Sequence, residues 1–166
     1  MNLEIFDRIQ QVACQLNVRG QSLSVAESCT GGLLGANLTD LAGASSYFKG
    51  GVLAYANPVK IEVLGVSRES LASYGAVSEE VASEMALGVR NLIGSDWALS
   101  TTGVAGPGGG TADKPVGTVW IGLADCRGAF SRKLEFSGVR RAVRYETVIA
   151  ALEILLEKLV ERSVDL

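Results

Sequence analysis

The 166-residue chain contains no histidine. That absence removes the commonest general base of hydrolytic enzymes and the commonest metal ligand. The three cysteines, Cys14, Cys29 and Cys126, are odd in number and far apart. They argue against a disulfide framework, and the lack of a Cys-x-x-Cys pair and of histidine argues against a zinc site. No apolar run approaches the ~20 residues needed to span a bilayer, and the N-terminus has no signal-peptide core. The net charge of −3 and the lack of a basic tail leave no general electrostatic footprint for nucleic acid. One local basic cluster, Arg140, Arg141 and Arg144, is the exception. The expectation is a cytoplasmic protein folded as a single domain over residues 1–166, with neither membrane nor nucleic acid as partner.

What is present alternates between two periodicities. Leu3, Ile5, Phe6, Ile9, Val12, Ala13 and Leu16 recur at helical spacing, and Gly20 ends that helix. Residues 22–26 read as a short apolar strand that runs through Glu27–Gly32 into a helix over 33–41. A second strand is expected over 50–55, and Asn57-Pro58 opens a helix over 58–64 that carries Lys60. Ser67 caps a short helix ending at Gly75, and Ser78 caps a longer one with the stripe Val81, Met85, Val89 and Leu92. Strands follow at 96–102, 116–124 and 129–136, the last two joined by a hairpin turn. A final helix runs from Arg140 to Arg162. Early helix–strand alternation followed by a late hairpin predicts a three-layer α/β/α sandwich with a mixed β-sheet.

Three segments carry candidate chemistry, each where a strand gives way to a loop or helix. In Glu27–Gly32 the glycines let backbone donors approach a ligand, and the following helix offers a positive N-terminus to phosphate or carboxylate. A tight turn capped by Ser28 or Thr30 reads equally well there. Residues 43–60 bring Ser45, Ser46, Tyr55 and Lys60 together in sequence. Without histidine, a serine activated by lysine with a tyrosine nearby is the nucleophilic chemistry this inventory permits. Lys60 would need burial or a neighbouring cation, such as Arg140 or Arg144, to act as a base. The alternative is a turn-capping serine and a solvated lysine. Thr101–Gly110 is rich in glycine but matches neither the P-loop nor the dinucleotide pattern. It reads as a backbone cradle for an oxyanion or phosphate, or as a mobile hairpin loop. Cys29, with no histidine to activate it, reads as an inert buried thiol.

Five motifs in order resemble the CinA C-terminal domain family, the nicotinamide mononucleotide deamidases of bacteria. They are Ala-Glu-Ser-Cys-Thr-Gly-Gly (26–32), Gly-x-Ser…Phe-x-x-Gly…Tyr-x-Asn-x-x-Lys (43–60), Gly-Ala-Val-Ser-Glu (75–79), Thr-Gly-x-Ala-Gly-Pro-x-Gly-Gly (102–110) and Lys-Pro-Val-Gly-Thr-Val (114–119). The resemblance implies hydrolysis of the carboxamide of nicotinamide mononucleotide to nicotinic acid mononucleotide and ammonia, with no metal and no cofactor. It implies Ser45 as the acyl-accepting nucleophile, with Ser28 as the other candidate, and Tyr55 and Lys60 as the base system. Ser28, Thr30, Gly31, Thr102, Gly103, Ala105 and Gly106 would line the substrate site, and Arg140 or Arg144 would meet the phosphate. Many family members carry an additional N-terminal domain resembling molybdopterin-binding proteins. The expectation here is the standalone amidohydrolase, without a pyrophosphatase activity, as a homo-oligomer, with a dimer through the apolar residues of its terminal helices favoured. A non-catalytic nucleotide-binding module, in keeping with the family's competence- or damage-inducible label, is the rival expectation.

Overall fold

The computed structural model describes residues 2–164. Among the described residues, six α-helices and five strands follow one another as α1 (Leu3–Arg19), β1 (Leu23–Glu27), α2 (Leu33–Thr39), β2 (Phe48–Leu53), α3 (Asn57–Leu64), α4 (Arg68–Tyr74), α5 (Glu79–Ile93), β3 (Trp97–Gly103), β4 (Thr118–Asp125), β5 (Gly128–Glu135) and α6 (Arg140–Val164). A short 3₁₀ turn, Ala44–Ser46, precedes β2.

The helix ends follow from local chemistry. The Asn2 side chain accepts from the Glu4 and Ile5 amides, and Gly20 closes α1 in the left-handed region. Ser67 and Ser78 cap α4 and α5 through their side chains, as expected. Pro58 occupies the first turn of α3, where its missing donor costs nothing.

The strands form one sheet in the order β2-β1-β3-β4-β5. β1 pairs parallel with β2 and β3, whereas β3–β4 and β4–β5 pair antiparallel, so the sheet is mixed. Every residue of the interior strand β1 is buried. Helices α1, α2 and α6 cover one face, with Ile5, Ile9, Leu16, Leu34, Leu38, Leu152 and Leu155 packed against Val25, Leu99, Ile121 and Leu123. On the other face Leu64 of α3 and Val81, Met85, Ala86 and Val89 of α5 meet Ala26, Ala98 and Ala124. The α/β/α layering is therefore as expected from the alternation of elements. Among the described residues no helix is long and apolar enough to cross a membrane.

Details differ from the sequence reading. β2 begins at Phe48 and ends at Leu53, so Tyr55 lies beyond the strand. Leu3 and Leu92 share the helical spacing of core residues yet are 82% and 56% exposed. Leu3 sits in the first turn of α1, before the helix reaches the sheet, and Leu92 sits in the last turn of α5, beside Gly94.

The connection after β1 passes to the α2 face, and the connection after β2 passes to the α3–α5 face. Adjacent parallel strands whose connections leave to opposite faces open a crevice at their carboxyl ends, the usual place for a ligand in such sheets.

Candidate active site

At that crevice β1 continues for one residue past its end: the Ser28 amide donates to the Thr101 carbonyl at 2.9 Å. On the other side the Ala54 amide donates to the Glu27 carbonyl at 2.8 Å, which holds the exit of β2 against β1. The chain then turns into α3 and directs Lys60 back beneath the crevice. Lys60 is 1% exposed. Its Nζ donates to the Ala54 carbonyl at 2.7 Å, the Tyr55 carbonyl at 3.2 Å and the Ser28 hydroxyl at 3.2 Å. Burial lowers its pKa from the ordinary lysine value. Neither arginine is needed for this: removal from water is the leading cause.

Ser45 does not join this cluster. It lies exposed on the 3₁₀ turn that feeds the first residue of β2. Phe48 pairs with Leu23 and Leu53 with Glu27, so that turn sits at the amino end of the parallel strands. Ser28 and Lys60 sit at the carboxyl end, roughly 17 Å away along the strand. Ser46 closes the same turn through its hydroxyl on the Gly43 carbonyl. The expected pairing of Ser45 with Lys60 is thus replaced by Ser28 with Lys60. Proximity in sequence misleads because a whole strand separates the two residues.

Glu27 was not expected to matter beyond its motif, yet it organises the turn. Its carboxylate is 2% exposed. It accepts from the Thr30 hydroxyl at 2.6 Å and from the amides of Gly32, Leu34 and Gly35 at 3.0, 3.0 and 2.7 Å. The protein's own anion therefore fills the N-terminus of α2, and the expected phosphate cradle there is already occupied. Gly31 and Gly32 adopt positive φ of 58° and 92°, which lets the turn wrap around this carboxylate. An acidic residue ending an apolar strand just before a small-residue turn was the available signal.

The other expected lining residues divide into buried supports and accessible groups. The Thr30 hydroxyl is committed to Glu27 and lies 2.7 Å from that of Thr101. Thr102 is buried and donates to the Ala76 carbonyl at 2.7 Å, tying β3 to the turn before α5. Gly103 ends β3, Ala105 is buried, and Gly106 offers its carbonyl to Arg140 at 3.0 Å. Arg140 also donates to the Tyr55 hydroxyl at 3.1 Å. Arg144, one turn along α6, donates through Nε and Nη2 to the Thr30 carbonyl, 3.1 Å from Nε. Both arginines reach the crevice, but the Tyr55 phenol faces Arg140 and only its carbonyl meets Lys60. Cys29 is buried, and desolvation pushes its thiol up to about 12, so it is no thiolate at neutral pH.

The architecture and sequence have clear relatives. A CinA-like protein from Synechocystis is 52% identical over 151 residues, covering 89% of this chain and 36% of that protein. The chain thus spans about a third of the length of several relatives it matches. A protein from Enterobacter agglomerans named nicotinamide-nucleotide amidohydrolase PncC is 46% identical over 152 residues, covering 91% of this chain and 93% of that one. The crystal structure of a CinA superfamily protein from Klebsiella pneumoniae superposes with a TM-score of 0.91 at 37% identity, over 95% of this chain and 98% of that one. The model of the CinA C-terminal domain matches residues 7–159, and the chain belongs to that family.

Proposed function

We propose that this chain is a cytoplasmic nicotinamide-nucleotide amidohydrolase that converts nicotinamide mononucleotide and water to nicotinic acid mononucleotide and ammonia, in pyridine-nucleotide recycling. The name and full-length match of the Enterobacter relative support the substrate. The coordination of Lys60 supports the chemistry and is the single observation that carries the reading. A neutral lysine amine has two N–H donors and one lone pair. Once Nζ is neutral and the Ala54 and Tyr55 carbonyls keep its two donors, its lone pair faces the third neighbour, Ser28, and the bond that Nζ now donates to that hydroxyl reverses. The buried amine is thereby both deprotonated more easily and aimed at the hydroxyl it must activate.

In this reading Ser28 is the nucleophile. Its Oγ attacks the carboxamide carbon while its proton passes to Lys60 Nζ. Backbone amides of the glycine-containing turns steady the oxyanion. Collapse breaks the C–N bond, and Lys60 returns the proton to the leaving nitrogen, releasing ammonia and leaving an ester on Ser28. Water then attacks the ester carbon, giving a proton to Lys60, which passes it to the departing Ser28 oxygen. Arg140 meets the phosphate, with Arg144 fixing the turn beside it, and Tyr55 serves the site through its carbonyl on Lys60 and its phenol at the mouth.

Ammonia release by the purified protein, with chelator present, tests this directly. Release is expected from nicotinamide mononucleotide and much less from free nicotinamide, which lacks the phosphate. Lys60→Ala is expected to bind the nucleotide but release ammonia about 10³-fold more slowly or worse. A parent protein that binds the nucleotide and releases no ammonia would make the non-catalytic nucleotide-binding module the better account.

A further inference from the structure

Arg140 is already engaged in this structure. Its Nη2 donates to the Tyr55 hydroxyl at 3.1 Å and its Nη1 to the Gly106 carbonyl at 3.0 Å. These two bonds clasp three segments that are distant in sequence: the β2–α3 connection, the glycine-rich loop after β3, and the first residue of α6. The clasp lies at the surface, since Arg140 is exposed and Tyr55 is 61% exposed. It is also joined to the buried pair, because the residue that gives its phenol to Arg140 gives its carbonyl to Lys60.

We propose that this clasp is a latch opened by phosphate. In the free protein Tyr55 and Gly106 hold Arg140, and a phosphomonoester on the substrate takes Arg140 from both. The proposal rests on the amidohydrolase reading for the identity of the substrate, and on the geometry alone for the exchange. Both present partners are neutral oxygen atoms. A bond from a guanidinium to a phosphate is charged on both sides and is the stronger of the two kinds, so the exchange favours phosphate. The positive end of α6, which begins at Arg140, adds to the preference. Arg144 also meets a neutral oxygen, but it holds the Thr30 carbonyl through both Nε and Nη2 in a part-buried position and makes no contact with Tyr55, so it is not part of the clasp. A nicotinamide compound without phosphate leaves the latch shut, so Tyr55 acts on phosphate affinity through Arg140 rather than by touching the reacting amide.

The latch has a thermodynamic signature that a merely structural hydrogen bond lacks. A latched arginine is competent to bind phosphate for only part of the time, and the apparent affinity is reduced by that fraction. Deleting the Tyr55 hydroxyl must therefore tighten phosphate binding, whereas loss of a structural contact leaves it equal or weaker.

The experiment is calorimetric titration of inorganic phosphate into the parent protein, Tyr55→Phe and Arg140→Met. Tyr55→Phe is expected to bind phosphate about three- to tenfold more tightly than the parent, the size of one released hydrogen bond. Arg140→Met is expected to lose at least about tenfold. Equal or weaker binding by Tyr55→Phe overturns the latch, as does full binding by Arg140→Met or no detectable binding by any of the three. Both side chains are exposed, and matching circular dichroism and thermal midpoints confirm that the variants are folded. Ammonia release from the parent is scored separately. An inactive parent whose Tyr55→Phe variant binds phosphate more tightly overturns the amidohydrolase and keeps the latch. An active parent with unchanged phosphate affinity in Tyr55→Phe overturns the latch alone.

Discussion

Lys60 sits on the inward side of α3 with two carbonyls and one hydroxyl as its partners, and no carboxylate among them. Taking an ammonium group out of water without an anion beside it disfavours its charged form, so its pKa falls below 10.5. The neutral amine, the form that can accept the Ser28 proton, then accumulates at lower pH than on a solvated lysine. The rate kcat/KM for amide hydrolysis is expected to climb with pH to a plateau, with its midpoint below 10.5. Lys60→Arg, which stays protonated across this range, should lose the limb and about 10³-fold in rate. A limb that persists in a Lys60→Arg enzyme would assign the titration to another group. Residue types alone pointed to lysine chemistry, because a chain without histidine has few other bases. They did not point to the correct serine neighbour. Ser45 and Ser28 both lie beside small-residue stretches, and only the direction of β2 decides which of them shares an end of the sheet with Lys60.

The elements were legible wherever a cap or a breaker marked them. Ser67 and Ser78 start helices, and Gly20 and Gly75 end them, each through a local interaction written into a few residues. Close approaches between elements were not legible, because they depend on partners far away in sequence. Gly88 illustrates this. A Cβ there would lie 2.0 Å from the Leu64 carbonyl oxygen at the end of α3, so glycine at this point lets α5 press directly on the helix that carries Lys60. Gly88→Ala must push α3 away, at a cost of about 1–3 kcal/mol, measurable as a lower urea midpoint. Displacing Lys60 from Ser28 should also slow ammonia release by roughly 10- to 100-fold, although Gly88 lies on α5, which carries none of the residues assigned to the site. A variant that loses stability but keeps full activity would show that α3 does not depend on α5 for its position.

At the scale of the whole molecule, the mixed sheet could be anticipated from the order of elements, but its strand order could not. β1 lies between β2 and β3, so three parallel strand ends converge on Ser28 only after the chain has crossed both faces. The fold holds a buried lysine at this junction, and its stability should record that burden. Between the lowered folded-state pKa and the ordinary value of 10.5, the unfolded chain binds more protons at Lys60 than the folded one. Stability therefore rises with pH across this window and falls as pH drops through it. Replacing the charge with an apolar side chain in Lys60→Met should remove this increment, so the stability of parent and variant, measured by urea unfolding, should converge or cross as pH increases. Parallel curves would mean that the lysine carries no proton-linked penalty in the folded state.

The most direct measurement compares Ser28→Ala with Ser45→Ala in ammonia release from nicotinamide mononucleotide. Ser28→Ala is expected to lose about 10³-fold or more, because it removes the only hydroxyl that meets Lys60 among the described residues. Ser45→Ala, a change on an exposed turn at the other end of the sheet, is expected to stay within about twofold of the parent. Full activity in Ser28→Ala together with loss in Ser45→Ala would contradict the account.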